Sequence, residues 1–281
     1  MNFRPRGDSG FLVEWLMEFM FLFMIFVLGL CLGSFVNMLV YRTAVKYKLT
    51  KNKIANKKRS FCDYCGRQLK WYENIPIVSW MIQKGKTRCC QKKLSILYPI
   101  VELVTGILLV LVVYKFNLLS VQLPMELQMM RVFWGAVLVT LLVFLVVFDL
   151  KYMILPDFAV VILIIISFLG MVFDEPSVIP YFLSALGGGV FLLILNLLTK
   201  GKGMGLGDVK LAIFMGLFLG YPKIIIAFYV AFITGAVVGI ILMIFKKIKR
   251  KTQIPFGPFL IWGTMIAWLW GNNIWYLVLN I

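Results

Sequence analysis

Gly203-Met204-Gly205-Leu206-Gly207-Asp208-Val209-Lys210 joins two apolar runs, residues 179–198 and 209–221. Three glycines lead into one carboxylate. A glycine backbone adopts angles and makes close approaches that a Cβ would block. Asp208 is therefore carried in where another segment, or an extended peptide, can lie against it. A second carboxylate stands in a matching place: Asp149 closes the apolar run 132–148. An ionisable side chain at membrane depth is costly, and its default reading is a functional site. Asp149 and Asp208 are thus nominated as one pair.

Outward from this pair the chain reads as membrane. Of its 281 residues 62% are hydrophobic, and the mean hydropathy is +0.93. A soluble domain of this size does not carry so much apolar content. The apolar runs are far longer than the alternating strands of a barrel, so the spans are helices. They cover residues 11–41, 98–114, 132–148, 158–173, 179–198, 209–221, 224–245 and 254–279. The expectation is an all-α polytopic membrane protein of about eight transmembrane helices. Residues 209–221 are short for a full span. The first run is too long for a signal peptide and has no small-residue cleavage site after it.

One large polar segment, residues 42–97, separates the first two runs. It holds fifteen Lys and Arg against Asp63 and Glu73. The positive-inside rule places it in the cytoplasm, as a Cys-containing loop domain of about fifty residues that a metal staple would help. Eight helices then put both aspartates on the cytoplasmic side and acidic Asp174-Glu175 outside. The basic run 246–251 falls inside, where it acts as a topology and membrane-surface determinant. The excess of 29 Lys and Arg over 12 Asp and Glu points to anionic membrane lipid as a partner. No nucleic-acid motif accompanies it, so no nucleic-acid partner is expected.

Histidine is absent, which removes Ser-His and Cys-His catalysis and every His-based metal site. Two carboxylates held close together do not both ionise easily; they share a proton. One then serves as base toward a water and the other as acid toward the scissile carbonyl or departing amine. Such a pair hydrolyses a peptide bond without histidine or metal. The same residues also read as unrelated helix-end carboxylates, one a cap and one pairing with Lys151 or Lys210. Leu155-Pro156-Asp157 reads as a helix start with Asp157 as cap, which leaves Asp149 as the partner of Asp208. A third reading is a proton- or cation-coupled transporter using intramembrane aspartates. Transporters often show an inverted second half, whereas the one large soluble insertion here stands near one end.

Further residues stand out. Gly29 and Gly33 share one helix face and allow close helix packing, and Asn37 is polar in apolar surroundings, which on helix chemistry alone reads as an interhelical hydrogen bond. Glu102 lies inside the second run and reads either as a contact to a reacting group or as a partner of Arg42. Glu73, in the polar loop, reads as a solvated surface carboxylate. Cys62-x-x-Cys65 and Cys89-Cys90 suggest zinc, although adjacent cysteines are an unfavourable pair for one ion. Reduced, unliganded thiols are the other reading, since a disulfide is not expected in the cytoplasm. No Gly-rich dinucleotide or S-adenosylmethionine signature appears.

Together these segments resemble the type IV prepilin peptidases, bacterial GxGD-type aspartic proteases. The likeness runs through Gly33-Ser34-Phe35-Val36-Asn37 with Tyr41-Arg42, Cys62-x-x-Cys65-Gly66, Asn74-Ile75-Pro76-Ile77-Val78-Ser79-Trp80 and Tyr98-Pro99-Ile100-Val101-Glu102. It continues through Phe148-Asp149, Leu155-Pro156-Asp157, Gly205-Leu206-Gly207-Asp208-Val209-Lys210 and Ile254-Pro255-Phe256-Gly257-Pro258-Phe259. The resemblance implies a multi-pass enzyme of the bacterial cytoplasmic membrane, with its active site facing the cytoplasm. It would cleave the basic leader of prepilins and pseudopilins and methylate the new N-terminus with S-adenosylmethionine. It implies Asp149 and Asp208 as the catalytic pair, with Gly205, Gly207 and Lys210 in the active-site loop. Residues 1–97 would be the methyltransferase-associated part and residues 98–281 the peptidase core; Asn37, Arg42, Glu73, Asn74 and, past the boundary, Glu102 would be the methyltransferase-associated residues. The family pattern also places a zinc ligand where this chain has Thr87, so Cys62, Cys65 and Cys90 would be joined by Cys89.

Overall fold

The computed structural model describes residues 8–50, 60–62, 64–116, 124–174, 177–201, 203–245 and 254–279. The basic run 246–251, Asp63 and Glu175 lie outside the described residues. Eight long helices are present among them: α1 (Asp8–Lys46), α3 (Leu97–Lys115), α4 (Met125–Tyr152), α5 (Asp157–Asp174), α6 (Ile179–Leu198), α7 (Leu206–Leu219), α8 (Lys223–Ile244) and α9 (Gly257–Leu279). A short α2 (Val78–Ile82) lies in the polar segment, after a single 3₁₀ turn at Trp71–Asn74. Among the described residues five helices are long and apolar enough to cross a membrane: α1, α3, α4, α6 and α8. The chain is an all-α polytopic membrane protein.

Helix ends depart from the apolar runs for local reasons. α4 begins seven residues before its run, because Met125-Glu126-Leu127-Gln128-Met129-Met130-Arg131 is built of good helix formers. It also runs on past Phe148, so Asp149 sits within its last turn and not after it. α9 starts only at Gly257, since Pro255 withholds an N–H and Pro258 is tolerated only in the first turn.

By internal contacts the chain forms two compact units, residues 1–144 and 145–281, with the boundary inside α4. In the first unit α1 packs along α3. A Cβ added at Gly33 would fall 2.5 Å from Glu102 Cα, and one at Gly29 2.6 Å from Gly106 Cα, so both glycines set the close approach of these helices. Ile25, Leu109, Val113 and Ala136 form an apolar cluster that brings in α4.

In the second unit α7 is the hub, touching α5, α6, α8 and α9. Its 14 residues rise about 21 Å, short of the roughly 30 Å hydrocarbon layer. The shortness has a structural reason: Leu211, Phe214 and Met215 are fully buried, so α7 packs against protein over most of its surface. Gly220, at φ +65°, ends it.

Candidate active site and cysteine centre

The second unit brings Asp149 and Asp208 together. Asp149 comes from the last turn of α4 and Asp208 from the first turn of α7. They are 5% and 8% exposed, and close enough for the charge of Asp208 to act on Asp149. Each carboxylate accepts one glycine N–H. Gly257, at the start of α9, donates to Asp149 Oδ2 at 3.1 Å. Gly205 donates to Asp208 Oδ2 at 2.9 Å. A carboxylate in the first turn of α7 also faces the positive end of the helix dipole.

The glycine loop works by proximity and not by unusual angles. Gly205 has an ordinary φ of −83°. A Cβ at Gly207 would lie 3.1 Å from Leu155 Cβ, so this glycine lets the start of α7 settle on the segment before α5. Lys210 Nζ meets Asp157 Oδ1 at 2.7 Å. Both side chains are largely exposed, so this pair contributes about 0–1 kcal/mol. Asp157 opens α5 and is engaged with Lys210; the buried partner of Asp208 is Asp149.

The first unit gathers a second set. Asn37, Arg42, Glu73, Asn74 and Glu102 all line one cavity of about 180 Å³, together with Tyr41, Trp80, Tyr98 and Thr87. Asn37 donates to the Tyr98 carbonyl at 3.3 Å, linking α1 to α3, and Asn74 donates to Ser60 Oγ at 2.9 Å. Glu102 is buried and its partners are neutral: the Ile77 N–H at 2.7 Å and the Ser34 hydroxyl. Ile77 has φ +58° and ψ −54°, with Val78 N–H donating to the Pro76 carbonyl at 2.5 Å. This is a γ-turn with a β-branched residue in the left-handed half of the map, which costs of order 1–3 kcal/mol. The Glu102 carboxylate is the group that pins it.

Glu73 corrects an expectation. It is not solvated: its side chain is 3% exposed, against Arg67 at 2.6 Å and the Lys70 N–H at 2.8 Å. Burial pushes its carboxyl up, but the Lys70 N–H and the Arg67 guanidinium outweigh this and hold it below the usual carboxylate range. Composition marked the segment as polar; only the fold reveals that it has an interior.

The four loop cysteines converge, the adjacent pair Cys89 and Cys90 included. All four sulfurs lie within 4.8 Å of one another, a set able to hold a metal ion. Cys65 and Cys89 Sγ are 3.2 Å apart. Cys62–Cys90 and Cys89–Cys90 are each 3.9 Å apart. Tetrahedral zinc with Zn–S near 2.3 Å separates its sulfurs by about 3.8 Å, so the donor set fits. Two hairpins present these residues with one hydrogen-bond pattern. Cys62 N–H donates to Arg67 O and Gly66 N–H to Cys62 O; Thr87 N–H donates to Lys92 O and Gln91 N–H to Thr87 O. Thr87 therefore occupies the backbone position of Cys62, and Cys90 that of Cys65. Cys89 supplies the thiol that Thr87 lacks. The Thr87 hydroxyl lies 3.1 Å from Cys90 Sγ and, with the Lys92 N–H, lowers that thiol to about 7. The contact with Cys65, then burial, pushes the Cys89 thiol up to about 12.

Residues that sequence reasoning left without a role include Gly257, Asn196 and Leu155. Gly257 and Leu155 carried a signal only as members of the segments 254–259 and 155–157; Asn196 carried none.

A family model described as the Bacterial Peptidase A24 N-terminal domain matches residues 27–116. Another, the Type IV leader peptidase family, matches residues 136–240. Three relatives share the name prepilin leader peptidase/N-methyltransferase. That of Xanthomonas campestris pv. campestris is 31% identical, over 88% of this chain and 90% of its own. That of Bacillus subtilis is 30% identical, over 89% and 94%. That of Stutzerimonas stutzeri is 29% identical, over 88% and 90%. No solved structure matches the chain significantly. Nothing in these matches supports the transporter reading.

Proposed function

The chain belongs to the type IV leader peptidase family, and we propose that it cleaves the basic leader of prepilins with Asp149 and Asp208 and methylates the amine so exposed. It is a prepilin peptidase with N-methyltransferase activity. The observation that carries the residue assignment is the buried Asp149–Asp208 pair, each member held by one glycine N–H. With one carboxylate ionised and one protonated, the first takes a proton from water as its oxygen bonds to the scissile carbonyl carbon. The second gives its proton to the carbonyl oxygen. When the C–N bond breaks, the first returns its proton to the departing amine, and the second takes one back from a hydroxyl of the tetrahedral carbon as the C=O bond re-forms. The positive-inside rule, applied to the basic loop and the helix count, supports a site at the cytoplasmic face.

Methyl transfer belongs to the cavity in the first unit. S-adenosylmethionine supplies an electrophilic methyl group carried on a sulfonium. The cavity suits it: Trp80, Tyr41 and Tyr98 offer aromatic faces, which attract a compact cation. Glu102, with only neutral donors on its carboxylate, offers a charge of opposite sign and a base for the attacking amine's proton. The 180 Å³ cavity is smaller than a whole-ligand pocket, so it suits the reacting ends of the two substrates. Asn37, Arg42 and Asn74 line its wall.

Mass spectrometry of a prepilin incubated with the purified enzyme tests both activities. Loss of the leader is expected with or without S-adenosylmethionine, and one added methyl group only with it. An intact substrate beside demonstrably folded enzyme would overturn the proposal.

We assign zinc to Cys62, Cys65, Cys89 and Cys90, where it staples two short hairpins that have little core of their own. Metal analysis is expected to return about one zinc per chain. Cys62→Ser is expected to lose it and to lower methylation at least about tenfold, with cleavage within about twofold of wild type. Equal loss of both activities in folded protein would contradict a separable loop.

A further inference from the structure

Asn196 is a polar residue in the last turn of apolar α6, 8% exposed, and the cleavage chemistry described above makes no use of it. Its side-chain Nδ2 donates to the Met204 carbonyl at 2.5 Å. Its backbone carbonyl accepts the Gly201 N–H at 2.9 Å and the Thr199 hydroxyl at 3.1 Å. One residue thus latches both ends of the turn that leads into the glycine loop.

The Met204 carbonyl and the Gly205 N–H belong to one peptide unit. That N–H is the donor to Asp208 Oδ2 at 2.9 Å. The plane is therefore bonded at both ends, by the Asn196 amide on one side and the Asp208 carboxylate on the other. A planar peptide cannot turn one end without the other. Fixing the carbonyl fixes where the N–H points. A donor on the carbonyl also polarises the amide and strengthens its N–H as a donor.

We propose that Asn196 is a positioning residue for leader cleavage, holding the Met204–Gly205 peptide so that its N–H is delivered to the Asp208 carboxylate. The inference rests on Asp208 being one of the cleaving pair. The titratable group nearby is Asp149, from α4, on which the charge of Asp208 acts; Lys210 is turned to Asp157.

The test is steady-state cleavage by Asn196→Leu, similar in size and unable to donate, in parallel with Asp208→Asn. Methylation of a pre-cleaved substrate reports folding of the same preparation. The expected result is a kcat lowered about 10–100-fold with KM within about twofold. The acidic limb of the kcat–pH profile moves to higher pH, because the ionised carboxylate has lost its oriented donor. Should Asn196→Leu lose methylation as well, Asn196→Ser carries the same expectation. Its hydroxyl is too short to reach Met204 and turns back to its own helix. Wild-type kcat and an unmoved acidic limb in a folded variant, beside an inactive Asp208→Asn, would overturn the role of Asn196. Normal cleavage by Asp208→Asn would instead remove the catalytic assignment on which it stands.

Discussion

Asp149→Asn and Asp208→Asn are each expected to lower leader cleavage by about 10⁴-fold, with methylation of a pre-cleaved substrate unchanged. Asparagine keeps the size of the side chain and an oxygen to accept the Gly257 or Gly205 N–H. What it loses is the proton that must move. General acid–base groups contribute about 10²–10⁴-fold. Two carboxylates sharing one proton act as a unit, so removing either forfeits nearly the whole effect. The double variant is therefore expected to be no slower than the worse single one, a departure from additivity that unrelated helix-end carboxylates would not produce. Single-turnover cleavage resolves the rates without interference from product release. Cleavage within tenfold of wild type by either variant would sink the pair.

Much of the fold was legible because membrane helices are set by composition. Eight apolar runs became eight long helices, and the shortest, α7, is short because protein surrounds it. The pair was legible for a related reason: a carboxylate beside long apolar runs stands out. What holds the pair was not legible. Gly257 N–H reaches Asp149 across 108 positions, a contact set by how α9 packs. Asn196 was hidden within an apolar run, and no local pattern ties it to Met204. The polar segment was misread at Glu73. It was judged by its neighbours in sequence, whereas the loop folds back so that Arg67 covers it; the same folding brings Cys65 to Cys89. Thr87 shows the reverse: its departure was visible in the sequence, but not that its hydroxyl would stand beside Cys90.

The loss expected from Gly257→Ala follows from one distance. A Cβ at this position would lie 2.7 Å from Asp149 Oδ2 and 3.3 Å from Leu155 Cδ2. A carbon cannot sit that close to a carboxylate oxygen, and α9 is held by its own packing, so the carboxylate must turn away. It then loses the Gly257 N–H and its aim toward Asp208. A hydrogen bond to a charged group is worth about 1.5–3 kcal/mol, and mis-aiming a reacting group by 1 Å costs about 10²-fold; kcat is accordingly expected to fall about 10²-fold. Stability should follow only weakly. Gly257 opens a helix, where alanine is favoured over glycine by up to about 1 kcal/mol, which offsets part of the lost hydrogen bond, so the melting temperature should fall slightly while activity collapses. Gly187→Ala on α6 is the control, since an added Cβ there meets nothing within 4 Å, and its cleavage should match wild type. If Gly257→Ala cleaved at the wild-type rate, Asp149 would need neither that N–H nor that orientation, and the geometric case for its place in the pair would fail with it.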